Sequence, residues 1–142
     1  MSADPVRIGF VCVQNAGRSQ MATAYAERER DRRNLEDDIE IRSGGTHPAD
    51  SVHDIVLEAM AEEGIDLAQR EPQEISEAEL ESCAYVATMG CSTLEIDAET
   101  DVRDWDLADP HGRALEEVHE IRDEVRGRVE GLFDELEKAE LR

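Results

Sequence analysis

The alternation of apolar and polar positions predicts strands and helices in regular succession. The first apolar run has the β-branched and aromatic composition of a buried strand, with Val6, Ile8, Phe10 and Val11. Helical spacing follows over residues 19–33, and Ser19 is placed to cap the start of that helix. Residues 39–41 then alternate into a second strand. Strand, helix and strand within about 40 residues indicate a βαβ unit with parallel pairing.

The rest of the pattern predicts two more strands and three more helices. A helix opens at Asp50 or Ser51 and closes at Gly64, and Ser76 begins a capping box ahead of a short helix. The remaining predicted elements are a central strand over 84–89, a loop over 92–102, a last strand over 102–105 and a long amphipathic helix over 113–136.

These elements predict one α/β domain over residues 1–142. We expect a small four-stranded, mostly parallel sheet flanked by helices, in a Rossmann-like three-layer arrangement. Ligands of such sheets bind outside the carboxyl ends of the strands. The residues that we expect at that edge are Cys12, Ser43 to Thr46, Cys91 and Asp109.

The segment from Cys12 to Arg18 joins the first strand to the first helix and predicts an oxyanion cradle. Backbone N–H groups of such a loop, together with the helix dipole, favour a bound anion. Only a thiolate is a good nucleophile, and the same positive field favours the thiolate of Cys12. The Arg18 guanidinium can hold two oxygens of a phosphate-like group. The other predicted binding residues are Val13, Gln14, Asn15, Ala16, Gly17 and Ser19.

A proton donor for the leaving oxygen is the third part that such chemistry needs. Asp109, followed by Pro110, lies between the last strand and the long helix, and the topology directs that loop toward the cradle. Two plainer interpretations stay open at this point. Cys12 could be a buried cysteine at a strand end, and Asp109 could belong to an ordinary turn.

The charge of the chain indicates the salt concentration to which the protein is adapted. The formal net charge is −21, and Lys138 is the only lysine. The acidic residues are spread over every segment, which favours adaptation to molar salt over an acidic tail or a nucleic-acid mimic. At about 1 M salt the Debye length is only about 3 Å, so self-repulsion is screened. Such a surface argues against nucleic acid or an anionic membrane as a partner.

Three cysteines at scattered spacings form neither a disulfide framework nor a zinc set, so we expect no metal and no cofactor. No signal peptide precedes the first strand, and no apolar run approaches membrane-spanning length. We therefore expect a cytoplasmic protein.

The loop 12–18 with Ser19, and Asp109 with Pro110, resemble the low-molecular-weight protein tyrosine phosphatase superfamily and its arsenate reductases. The resemblance runs from about Val6 to Leu136 and implies that family's fold. It also implies a cysteine nucleophile, an arginine clamp and an aspartate general acid. The segments that favour the reductase branch are 20–22, 43–49, 58–66 and 111–112. Tyrosine phosphatases place aromatic residues after the Asp-Pro pair, whereas this chain has His111 and Gly112.

Cys91 resembles the second redox cysteine of the reductases, which attacks the arsenylated nucleophile and releases arsenite. No cysteine occurs in residues 92–109, so the chain departs from the thioredoxin-coupled pattern. Cys83 lies eight residues before Cys91, at the far end of a strand, and is expected to be a buried core residue. An external thiol or a thioredoxin- or glutaredoxin-like protein would then regenerate the enzyme.

Three functional hypotheses follow from these residues. The first is a thiol-dependent arsenate reductase, in which the Cys12 thiolate attacks arsenate held by the loop. The second is a phosphomonoester hydrolase that uses the same residues on a phosphate ester. The third is a non-catalytic module that binds an oxyanion or a partner.

Overall fold

The computed structural model describes residues 5–89, 101–105, 107–108, 110 and 112–138. The elements in chain order are β1 (Val6–Cys12), α1 (Arg18–Arg32), β2 (Ile39–Gly45), α2 (Asp54–Ala61), α3 (Glu77–Glu81), β3 (Tyr85–Thr88), β4 (Asp101–Asp104) and α4 (Leu115–Lys138). No described helix combines the length and the apolar character needed to cross a bilayer.

The four strands form one parallel sheet in the order β2-β1-β3-β4. This confirms the predicted four-stranded α/β fold, and all of the pairs are parallel. The first strand lies between β2 and β3, and its last residue, Cys12, pairs in register with Gly45 at the end of β2. The chain therefore leaves β1 at an edge where neighbouring strands also end, which is where an open α/β sheet binds its ligands.

Apolar side chains of β1 point alternately to the two faces of the sheet. Ile8 and Phe10 belong to a large buried cluster that includes residues of α1, α2 and α4. Val11 faces the other way, into a small cluster with Leu80 of α3 and with Cys83. Helices thus cover both faces, as the three-layer prediction requires. Cys83 is buried, as expected from the sequence.

Most predicted helix and strand positions are confirmed, including Ser76 as the cap of α3, whose hydroxyl accepts a hydrogen bond from the Glu79 amide. Two predicted helix starts are wrong. The second helix begins at Asp54, after Asp50 and Ser51, because residues 46–53 instead bond to the loop that follows β1. Of the predicted loop over 92–102, residues 92–100 lie outside the described part of the chain.

Ser19 is the second wrong helix start, since it does not cap α1. The helix begins at Arg18 with Gly17 at the N-cap, and no side chain caps it. The Ser19 hydroxyl lies instead 2.9 Å from the Cys12 sulfur. Ser19 lies inside the first turn of the helix, so it is not at the N-cap position from which a side chain could cap it.

The Tyr25 hydroxyl links α1 to the residues that follow α2, and its ionisation makes the free energy of unfolding fall at alkaline pH. Its buried hydroxyl donates to Glu63 at 3.3 Å. Burial, with the Glu63 charge, raises its pKa from 10.0 to about 12. This contribution to stability is present below about pH 10 and is lost as pH rises toward about 12. We expect the free energy of unfolding in urea to fall less over that pH range for Tyr25→Phe than for wild type. An equal loss in both proteins would contradict this assignment.

Candidate active site

Cys12 ends the central strand β1 with its sulfur buried, its residue being only 3% exposed. Two groups approach that sulfur. The backbone N–H of Asn15 donates to Sγ at 3.2 Å, and the Ser19 hydroxyl lies 2.9 Å from it. Because the Ser19 oxygen already accepts a hydrogen bond from the Asn15 amide group, its own hydrogen is available to the sulfur. Both contacts stabilise a thiolate.

The loop after Cys12 is tied on its outer side to residues 46–53. Four amides of that segment donate to four loop carbonyls: Thr46 to Cys12, His47 to Val13, Ala49 to Gln14, and His53 to Ala16, at 2.8–3.3 Å. In a trans peptide the C=O and the following N–H point to opposite sides. The N–H groups of residues 13, 14, 15 and 17 are therefore turned away from this segment, toward the interior of the loop. Such a set of inward amides suits an oxyanion.

Asn15 holds the loop in this shape. It is fully buried and has a positive φ of 51°, a conformation in which asparagine is enriched. Its side-chain amide donates to the hydroxyls of Ser19 and Ser43 at 2.7 and 2.9 Å. Its carbonyl oxygen accepts from the Gln20 side chain and from the Gln73 backbone. One side chain thus fixes the loop to α1, to β2 and to the segment before α3.

Arg18 and Gly17 connect the loop to the segment that leads into α4. The Arg18 guanidinium donates to the carbonyl of Leu107 at 2.9 Å. Gly17 is buried, and a Cβ placed on it would lie 2.9 Å from Cγ of Pro110. The half-buried His53 is also near Gly17, and its ring Nε2 lies 3.2 Å from the side-chain oxygen of Gln14. The loop is therefore in direct contact with Leu107 and Pro110.

The structure brings together the predicted residues of the loop, Cys12 to Arg18, with Ser19. The predicted acid Asp109 and the predicted second cysteine Cys91 lie outside the described residues. Sequence reasoning expected Ser43 at this edge, where it accepts a hydrogen bond from Asn15, and missed the supporting side chains Gln20, His53 and Gln73. The signal that could have found some of them is the asparagine within the loop, since a buried amide needs several partners. Across the described residues, no group of three His, Cys, Asp or Glu could hold a metal ion.

Known proteins share this arrangement. The model of the low molecular weight phosphotyrosine protein phosphatase family matches residues 7–141. The chain belongs to this family.

Several relatives of this family member are named as arsenate reductases rather than as phosphatases. A Halobacterium salinarum protein, provisionally named an arsenate reductase, is 67% identical over 138 residues, covering 96% of this chain and 97% of its own. A thioredoxin-dependent arsenate reductase of Corynebacterium glutamicum has a TM-score of 0.81 and 28% identity, covering 99% of this chain and 66% of that longer chain. An arsenate reductase in the phosphate binding state has a TM-score of 0.77 and 27% identity, covering 92% and 98%.

The backbone of the loop that follows Cys12 leaves no room for a side chain at Gly45. A Cβ there would lie 2.5 Å from the Val13 carbonyl oxygen and 3.0 Å from the Asn15 nitrogen, both backbone atoms. We therefore expect Gly45→Ala to deform the loop and to weaken phosphate binding at least about tenfold, which is about 1.4 kcal/mol. Calorimetric titration with phosphate measures this.

The matched control is Gly127→Ala in α4, where nothing lies within 4 Å of an added Cβ. Alanine there should leave phosphate binding unchanged and raise stability by up to about 1 kcal/mol. Wild-type phosphate binding in Gly45→Ala would show that the loop does not depend on this close approach.

Proposed function

We propose that this family member is an arsenate reductase that forms arsenite through a covalent adduct on Cys12 and depends on a thiol. The observation that carries the choice between reductase and tyrosine phosphatase is the position of the aromatic residues. All five fall in the described part of the chain: Phe10, Tyr25, Trp105 and Phe133 are buried, and Tyr85 is half-buried. Tyr85 pairs with Ile8 at the start of β3, toward the end of the sheet away from Cys12. A phosphotyrosine ring bound at Cys12 therefore has no aromatic side chain of this chain to stack on. A small inorganic oxyanion needs none.

The relatives support the same choice. The Halobacterium salinarum protein, 67% identical over almost its whole length, carries an arsenate reductase name. The structure of an arsenate reductase with phosphate bound supports an oxyanion as the ligand of this fold. Phosphate and arsenate are both tetrahedral, so the inward amides of the loop and Arg18 would bind either one.

The first chemical step uses the groups around the loop. The Cys12 thiolate attacks arsenic(V) and forms an S–As bond. One As–O bond breaks, and the departing oxygen leaves as water after it takes a proton, for which the sequence offers Asp109. Inward loop amides and the Arg18 guanidinium stabilise the charge on the remaining oxygens. The Ser19 hydroxyl lies 2.9 Å from the sulfur and is placed to donate a hydrogen bond to the attacking thiolate.

The second step needs another thiol. A thiolate attacks the Cys12 sulfur, an S–S bond forms, and the S–As electron pair passes to arsenic, which leaves as arsenite. Arsenic gains two electrons and the two sulfurs lose two. We propose Cys91 as that thiol, with a small thiol as the alternative. Either disulfide must then be reduced from outside, and the thioredoxin-dependent structural neighbour supports a protein reductant of that kind.

Parallel assays test the proposal. Wild-type protein in high salt should release arsenite from arsenate in the presence of a thiol or thioredoxin-like reductant, and should hydrolyse an aryl phosphate far more slowly. Cys91→Ser should stop multiple turnover and still allow one arsenylation of Cys12, which mass spectrometry detects. A small thiol that acts directly would restore turnover in this variant. Efficient aryl phosphate hydrolysis without arsenite release would favour the phosphatase hypothesis.

We also propose that the enzyme works in a cytoplasm of high salt. The net charge of −21 and the Halobacterium salinarum relative support this setting. Screening of self-repulsion should raise the unfolding temperature as KCl increases toward the molar range. A constant or falling melting temperature over that range would contradict the proposal.

A further inference from the structure

One carbonyl of the loop after Cys12 is held by a side chain, whereas four others are held by backbone amides. The carbonyls of residues 12, 13, 14 and 16 accept hydrogen bonds from the segment 46–53. The Asn15 carbonyl accepts instead from Nε2 of Gln20, at 3.0 Å. No other residue in the described part of the chain donates to this oxygen. The orientation of the peptide between Asn15 and Ala16 therefore depends on one side chain of α1.

Gln20 is placed to hold that peptide firmly. Its residue is only 3% exposed, in the first turns of α1. An amide nitrogen carries two hydrogens, and both have an acceptor here. Nε2 lies 3.0 Å from the Asn15 carbonyl oxygen and 3.1 Å from Asn15 Oδ1. The two bonds fix the plane of the Gln20 amide and, with it, the direction of the Asn15 carbonyl.

The Gln20 bond also decides where the Ala16 N–H points. Gln20 lines a polar cavity together with Ser43 and Gln73, and Cys12 does not line it. No peptide in the described residues is cis, so the Ala16 N–H points away from the Asn15 carbonyl. It is therefore turned toward the interior of the loop, as are the N–H groups of its neighbours.

The Ala16 N–H has no partner within the protein. Ala16 is buried, and its N–H donates to no group of the described residues. Buried backbone N–H groups are almost always paired with protein, water or a ligand. Since the group faces the interior of a loop that is lined with inward amides, a bound anion is the partner that this arrangement fits.

We propose that the Ala16 N–H donates to an oxygen of the bound oxyanion and that Gln20 is the positioning residue that directs it there. Gln20 does not contact the oxyanion itself and acts only through the Asn15 peptide. The inference rests on the proposed function in one respect, namely that the loop binds a tetrahedral oxyanion.

Removal of the Gln20 amide should release this one peptide and leave the rest of the loop in place. The side-chain amide of Asn15 would keep its hydrogen bonds with Ser19, Ser43 and Gln73. The four carbonyls that bond to residues 46–53 would also keep their partners. The effect on oxyanion binding should therefore be confined to one of the inward N–H groups.

Gln20→Met tests the proposal, because methionine matches glutamine in length and helix propensity and has no N–H to donate. Calorimetry with inorganic phosphate should show a Kd about tenfold weaker, the lower end of the loss expected for one hydrogen bond to a charged group. In ¹⁵N-labelled wild type, phosphate should shift the Ala16 amide proton, and the variant should lose most of that shift. The Gln14 amide proton should keep its shift, because His47 still holds the carbonyl before it.

Gln69→Met is the matched control, since Gln69 lines the same cavity and is exposed. It should match wild type in phosphate Kd and in both amide shifts. A phosphate Kd within about twofold of wild type in folded Gln20→Met would overturn the proposal. So would an equal loss of shift at Gln14 and Ala16, which would show that Gln20 only stabilises the loop as a whole. Should Gln20→Met fail to fold, wild type decides, because an Ala16 amide proton that ignores phosphate contradicts the proposal.

Failure of the proposed function is recognised separately. If wild type binds phosphate and forms no arsenite, the reductase assignment is wrong, and the Kd and the Ala16 shift still decide the role of Gln20. If wild type reduces arsenate and the Ala16 amide proton does not respond to phosphate, only the positioning role is rejected. A wild type that binds no phosphate would overturn both.

Discussion

Replacing Cys12 by serine should lower the rate of arsenite formation at least roughly 10⁴-fold, which is the scale of the loss when a catalytic nucleophile is removed. The Asn15 N–H and the Ser19 hydroxyl that stabilise a thiolate cannot ionise an alcohol near neutral pH. Serine is also slightly smaller than cysteine, so the buried position should accept it. Phosphate should still bind within about threefold of wild type, because the loop amides and Arg18 are unchanged.

Arsenite release and phosphate calorimetry measure these two effects separately. Cys83→Ser is the matched control, since Cys83 is buried in the small cluster on the other face of the sheet. Burial there raises the pKa of the Cys83 thiol, and its sulfur donates to the Glu79 carbonyl at 3.4 Å. The control should keep wild-type turnover. Residual turnover in Cys12→Ser would assign the nucleophile to another residue.

Arg18→Lys should lower kcat/KM at least about 100-fold, or about 2.7 kcal/mol of transition-state stabilisation. Lysine keeps the positive charge and loses the planar fork that can hold two oxyanion atoms at once. It also loses the guanidinium bond to the Leu107 carbonyl, which ties the loop to the 107–110 segment. Both phosphate affinity and the chemical step should therefore suffer.

Arg128→Lys on the exposed side of α4 is the control for this substitution. Arg128 forms an ion pair at 3.1 Å with Glu124, one helical turn away. Surface ion pairs of this kind contribute only about 0–1 kcal/mol to stability. Its kcat/KM should equal that of wild type. A similar value for Arg18→Lys would show that the fork geometry is not used and that only the charge matters.

Sequence alone determined the fold class and the core of the site. The apolar run of β-branched and aromatic residues in β1 and the long helical period of α4 depend on which residues must be buried, and burial is encoded locally. Cys12 and Arg18 were predicted as site residues because a loop between a parallel strand and a helix binds anions through its own backbone, and the structure places them at the two ends of that loop. The parallel pairing of β1 and β2 followed from the helix that joins them, because a crossover through a helix connects parallel strands.

Tertiary structure decided the features that depend on contacts between distant segments. Residues 46–53 look helical near Asp50, yet their amides bond to the loop carbonyls, so α2 begins only at Asp54. Ser19 is of a residue type that caps helices, but α1 begins one residue before it, and its hydroxyl contacts the Cys12 sulfur. Gly17 reads as an ordinary loop glycine until Pro110 lies against it. Near Asp50, hydrogen bonds to a distant loop outweigh a local capping preference worth only about 1 kcal/mol.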